Sequence, residues 1–140
     1  NVYGVGHFAG GSGGGEMVQN MLQTRIKGGV VKIAQEVARD FEYVYYKDLG
    51  RALDKAATSP LQEPVTLNIG TGVVIKFDDL VALAEKLLPK LQVEIMPGAK
   101  PRSAKQPMVI EKAKRVLGWS PEFDMEAGFK DYIEELKALG

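Results

Sequence analysis

Short β-branched runs alternate along this chain with stretches of helical period, and that alternation restricts it to an α/β architecture. The clearest helical stretch is 77–88. There Phe77, Leu80, Val81, Ala84, Leu87 and Leu88 follow the i, i+3, i+4, i+7 rule, and Asp78 and Asp79 suit the positive end of the helix dipole. Residues 16–27 predict a second helix, with Met17, Val18, Met21, Leu22 and Ile26 on one face and Gly28-Gly29 as its stop. Strands are expected at 30–33, 41–46, 65–69 and 91–96, where β-branched and aromatic residues cluster. Asp48 stands where a cap belongs before a helix over 49–57. A short helix is expected at 110–117, closed by Gly118, and the last helix at 125–139, with Met125, Phe129, Tyr132, Ile133 and Leu136 inward. A chain of 140 residues suits one domain, 1–140, with one core.

Charge and composition exclude several classes of function. Lys plus Arg and Asp plus Glu both number 18, so nothing draws the whole molecule to nucleic acid or to an anionic membrane. The basic cluster Lys112, Lys114, Arg115 falls on a short amphipathic helix and reads as a solvated face. Disulfides and thiolate chemistry are excluded by the absence of cysteine, which agrees with a cytoplasmic protein. One histidine, His7, and no cysteine leave no ordinary zinc site, so no metal is expected. A serine triad would have to use His7, which reads instead as a loop residue beside the run Gly10-Gly11-Ser12-Gly13-Gly14-Gly15. No run reaches the ~18 apolar residues that a membrane span needs.

Two motifs imitate cofactor chemistry. Gly4-Val5-Gly6-His7-Phe8-Ala9-Gly10 resembles a dinucleotide loop, but such a loop follows a full strand and opens directly into a helix. Only three residues precede Gly4, and more glycine-rich loop follows Gly10. Tyr43-Val44-Tyr45-Tyr46-Lys47 contains the Tyr-x-x-x-Lys spacing of a proton-transfer pair. That spacing works on a helix, where i and i+4 share a face. In the strand expected here it separates the two Cα atoms by about 13 Å.

A set of landmarks in fixed order is more specific. Asn1-Val2-Tyr3-Gly4-Val5-Gly6 resembles the Asn-x-Tyr-Gly-Pro-Gly segment of extended short-chain dehydrogenases, the NAD-dependent epimerases and dehydratases of nucleotide sugars, with Val5 where proline is usual. Gly28 to Ile33 is similar to their Gly-x-Pro-Val-x-Ile strand, and Arg39-Asp40-Phe41 with Val44 to Asp48 to their Arg-Asp-Phe, Val-x-Val-x-Asp run. Leu67-Asn68-Ile69-Gly70-Thr71-Gly72 resembles Tyr-Asn-Ile-Gly-Ser-Gly. Lys112-Ala113 with Leu117-Gly118-Trp119-Ser120-Pro121 resembles Lys-Ala, Leu-Gly-Trp-x-Pro, and Glu126, Gly128, Tyr132 and Ile133 fit the closing helix.

The resemblance implies the C-terminal, substrate-binding portion of such an enzyme, about its last 40–45%, with the Rossmann cofactor half absent. In the parent enzyme, NAD or NADP takes hydride from the sugar and a tyrosine takes the hydroxyl proton. The keto intermediate is then reduced on its other face or dehydrated. The cofactor loop and the catalytic Tyr-x-x-x-Lys pair precede the Asn-x-Tyr-Gly segment in the family, so no catalytic residue is expected in this chain and the fragment alone is expected to be inactive.

The implied substrate is a nucleotide-diphospho-sugar. The resemblance places Asn1 against its sugar-diphosphate, Arg39 on the diphosphate, Arg102 as a second phosphate ligand, and Met17 at the end of the loop that covers the substrate. For Arg39 the plainer alternative is a surface ion pair with Asp40; for Arg102 it is an ordinary surface role. The implied partner is the missing N-terminal Rossmann half, whose absence predicts an exposed apolar surface and a possible homo-oligomer. The alternative function is a free-standing, non-catalytic binding module derived from the same fold, which predicts a polar surface.

Overall fold

The computed structural model describes residues 1–6, 12–61 and 63–139. Its strands are β1 Val2–Tyr3, β2 Val31–Ala34, β3 Phe41–Glu42, β4 Val44–Tyr45, β5 Val74–Ile75 and β6 Val93–Met96. Its helices are α1 Gly13–Ile26, α2 Tyr46–Thr58, α3 Phe77–Leu87, α4 Glu111–Leu117 and α5 Met125–Ala138. The strands form three two-stranded pairs. β1 and β4 are parallel (Val2 opposite Val44), β2 and β6 are parallel (Val31 opposite Val93), and β3 and β5 are antiparallel (Phe41 opposite Ile75).

Burial follows the helical periods read from the sequence. Met17, Val18, Met21 and Leu22 of α1 are buried against Phe129, Tyr132 and Ile133 of α5 and Leu80 and Ala84 of α3. Tyr3 stands at the centre of this core, with its ring centroid 5.1 Å from that of Tyr45 and 5.8 Å from that of Phe129. Such pairs add about 0.5–1.5 kcal/mol each beyond the area they bury. A smaller cluster of Ala52, Ala113, Leu117 and Trp119 joins α2 to α4.

Several boundaries differ from expectation. α1 starts at Gly13, inside the glycine run, because the Ser12 Oγ accepts from the Gly15 N–H at 3.2 Å and supplies the N-cap. Gly10 and Gly11, and His7 with them, lie outside the described residues. The expected strand 41–46 divides into β3 and β4 around Tyr43, and Tyr46 already opens α2. Asp48 is therefore not the cap of α2. The cap is Tyr45, without a side-chain bond, and Asp48 sits inside the first turn. The expected strand 65–69 is no strand at all. Val65, Leu67 and Ile69 are half-buried and Thr66 and Asn68 exposed, the alternation of a strand, but no neighbouring strand pairs with it. β5 was not anticipated; two residues carry too little period to announce a strand, and its partner β3 is what creates it.

Candidate functional site

Of the four residues expected to meet substrate, Asn1 and Met17 lie at the start of α1, Arg39 in the turn before β3 and Arg102 in the loop between β6 and α4. Asn1 enters β1, and its carbonyl accepts from the Val44 N–H at 2.9 Å. Its side-chain amide rests on the backbone of Gly14, in the first turn of α1, where a Cβ would collide with it. The amide Nδ2 is buried and has no hydrogen-bond partner among the described residues. A buried donor without an acceptor costs about 1–3 kcal/mol, so this amide is a group that a ligand oxygen would satisfy. One turn further along α1, Met17 is 4% exposed. It belongs to the core, and its edge also lines a cleft of about 200 Å³ between α1 and β2, with Lys32, Ile33 and Val37 opposite.

Arg39 stacks its guanidinium over the Phe41 ring, 4.6 Å from the centroid. Among the described residues it forms no ion pair. Asp40, the carboxylate the plainer reading would give it, instead accepts from the Phe77 N–H at 2.9 Å and caps α3. Arg39 faces Tyr43, whose phenol is pushed up to about 12 by burial, with the Arg39 charge pulling the other way. The Tyr43 hydroxyl is buried and has no partner among the described residues.

Arg102 is exposed in the 97–107 loop and also forms no ion pair among the described residues. The backbone beside it is tied to the backbone beside Arg39. The Asp40 N–H donates to the Ser103 Oγ at 3.1 Å, and the Ala104 N–H donates to the Asp40 carbonyl at 2.8 Å. Two arginines, each one residue from a hydrogen-bonded junction, thus come from segments far apart in sequence. The guanidinium is planar and suits a diphosphate, which it meets with paired donors.

Two acidic residues near this site were not foreseen as buried anchors. Glu42 is 5% exposed, and its carboxylate accepts from the N–H groups of Thr71 at 2.7 Å, Gly72 at 2.9 Å and Met108 at 2.6 Å. Asp48 is fully buried; it accepts from the N–H groups of Glu122 and Phe123 and pairs with Arg51. The one signal in the sequence was an acidic residue interrupting each apolar or aromatic run.

The two decoys separate cleanly. Tyr43 lies between β3 and β4, while Lys47 lies in α2 and pairs with Asp131 and Glu135. The Gly4 turn packs on the ring of Tyr46, which fills the space a Cβ would need. That turn follows a two-residue strand, whereas a dinucleotide loop follows a full one. No group of three potential metal ligands occurs among the described residues, and no described helix is long and apolar enough to cross a membrane.

No family model matches the sequence, and no curated protein matches it. Solved structures do. UDP-glucuronic acid 4-epimerase from Bacillus cereus, in complex with UDP-glucuronic acid and NAD, superposes with a TM-score of 0.81 at 17% identity, covering 100% of this chain and 44% of that one. The chain has the fold of the C-terminal portion of extended short-chain dehydrogenase epimerases. The dTDP-glucose 4,6-dehydratase from Bacillus anthracis, in complex with NAD, gives a TM-score of 0.79 at 18% identity, covering 99% of this chain and 42% of that one. UDP-glucose 4-epimerase from Thermotoga maritima, with UDP-glucose, gives 0.73 at 26% identity, covering 99% and 44%. The chain therefore spans less than half the length of the structures it matches.

Proposed function

We propose that this chain is the part of a nucleotide-sugar epimerase or dehydratase that binds and orients a nucleoside-diphospho-sugar. The observation that carries the reading is the junction of Arg39 and Arg102. Two arginines without carboxylate partners among the described residues stand beside a junction that hydrogen bonds form between their own neighbours, and the Asn1 amide is a buried donor without a partner among those residues. Arg39 and Arg102 hold the diphosphate, Asn1 donates to a ligand oxygen, and the cleft beside Met17 receives an apolar edge of the ligand. The similarity to enzymes solved with UDP-glucuronic acid, UDP-glucose and NAD supports the choice of ligand. Hydride chemistry with NAD or NADP belongs to the remainder of such an enzyme, and no step of it is assigned to these residues.

The reading of the chain as a fragment, against a free-standing module, has support of its own. An apolar groove of about 360 Å³ lies between α2 and the unpaired 64–69 segment, lined by Leu53, Leu61, Val65 and Leu67. Leu53 is 62% exposed there. A module complete in itself has no need of such a surface.

Titration of the 140-residue chain with UDP-glucose by calorimetry tests the function. The expected result is saturable binding without epimerised or dehydrated product, and loss of about 1.5–3 kcal/mol of binding in Arg39→Gln. Absence of binding by the native chain, or full affinity in Arg39→Gln, would overturn the reading.

A further inference from the structure

Resting on that reading, we propose that Glu42 is a positioning residue for the diphosphate site: its buried carboxylate sets where the loop carrying Arg102 lies relative to Arg39. The segment Arg39–Glu42 touches both arms of that loop. On the near arm, the Asp40 backbone holds Ser103 and Ala104. On the far arm, the Glu42 carboxylate holds the Met108 N–H at 2.6 Å. One short stretch of chain therefore carries the first arginine and both anchors of the second.

The chemistry of Glu42 suits this task. Three N–H groups, of Thr71, Gly72 and Met108, converge on one side chain. Such a convergence is a nest for an anion, and only a carboxylate has enough acceptor sites to fill it. Among the described residues no side-chain cation pairs with Glu42, so the backbone N–H groups are the direct partners of its carboxylate, with the Asn1 ammonium nearby on the Glu42 carbonyl. Gly70 completes the fit. A Cβ there would collide with the Glu42 carboxylate and the Met108 methyl, so the 70–72 turn closes over the acid only because that residue is glycine. The nest is thereby taken by a group of the protein itself, and the ligand's phosphates are left to the arginines.

The test is a titration of the 140-residue chain with inorganic pyrophosphate, followed by NMR at the Nε–H signals of Arg39 and Arg102. Three proteins are compared: the native chain, Glu42→Gln and Ile133→Val, the last a core truncation in α5. In the native chain both arginine signals are expected to shift with one common Kd. Glu42→Gln is expected to bind roughly two- to thirty-fold more weakly, the span such positional couplings cover, with Arg102 no longer shifting together with Arg39. Ile133→Val is expected to titrate as the native chain does.

Equal affinity in Glu42→Gln, with faster amide exchange at Thr71, Gly72 and Met108, would overturn the proposal and leave Glu42 a purely structural acid. Equal weakening in Ile133→Val would do the same. If the native chain binds through Arg39 alone, the proposal falls while the diphosphate reading stands. If the native chain binds no pyrophosphate, both fall. Should Glu42→Gln fail to fold, Glu42→Asp keeps the charge, shortens its reach and is held to the same outcomes.

Discussion

The corner around Asp48 and the corner around Glu42 solve one problem in two ways. Each buries a carboxylate and uses it to gather backbone N–H groups from distant segments. At the Asp48 corner the acid also has a counter-ion, since Arg51 donates to it and reaches on to Glu122 and the Ser120 carbonyl. The Asp48 carbonyl accepts the Trp119 indole N–H at 3.0 Å, so the segment 119–123 is locked to α2 from both sides. Arg51 is spent there on Asp48 and Glu122. At the Glu42 corner the acid forms no side-chain ion pair among the described residues, and the two arginines close by are likewise unpaired there. A charge neutralised within the fold serves stability, whereas cations left without partners remain available to a ligand.

The largest effect expected from this comparison is at Asp48. Asp48→Ala should cost about 3–4 kcal/mol in urea denaturation, because it leaves Arg51 and two N–H groups without their acceptor. A cost under about 1 kcal/mol would mean that the 119–123 segment is held by apolar packing of Trp119 alone. Glu42→Gln should cost less, about 1–2 kcal/mol, since the amide oxygen still accepts from part of the nest and no ion pair is broken. If the two variants proved equally destabilising, the distinction between a locked corner and an open one would fail.

A third acidic cluster provides the exposed reference. Lys47 pairs with Asp131 and Glu135, and the hydroxyls of Tyr45 and Tyr46 donate to the same carboxylates. The Asp131 carboxyl is held below its usual range, chiefly by the hydrogen bond from Lys47. For Glu135 burial pushes upward, but hydrogen bonds from Tyr46, Lys47 and Tyr45 outweigh it and the net direction is again down. Carboxyls with a lowered folded pKa contribute stability above their unfolded values, near 3.8 and 4.5, and lose it as pH falls through the folded ones. Lys47→Met should therefore cost about 0.5–1 kcal/mol at pH 7, because side chains about a third exposed are screened by water, and the difference should shrink below pH 4. A difference that held constant down to pH 3, or exceeded that at Asp48, would place this cluster with the locked corners.

The helices were legible because each buries a stripe at a period near 3.6, and α1, α3 and α5 bury the faces that their periods mark. Arg39 and Arg102 were named from a resemblance; that they meet through Asp40, Ser103 and Ala104 no local pattern announces, because hydrogen bonds across 63 residues leave no trace in periodicity. Val65 to Ile69 shows the opposite failure. The alternation was there, but a strand exists only where another backbone accepts its hydrogen bonds. Glu42 and Asp48 were visible as acids in apolar runs, but their burial depends on N–H groups delivered from elsewhere in the chain.

By itself, then, the sequence determined the α/β alternation and the apolar faces of the helices, and its landmarks pointed to the fold that the solved epimerases share. The tertiary structure alone decided which acids were buried, which arginines stayed unpaired and which strand-like run found no partner. The physical reason is one of range. Propensity and period act over a few residues, while the charge and hydrogen-bond state of a side chain depends on whichever distant groups folding brings beside it.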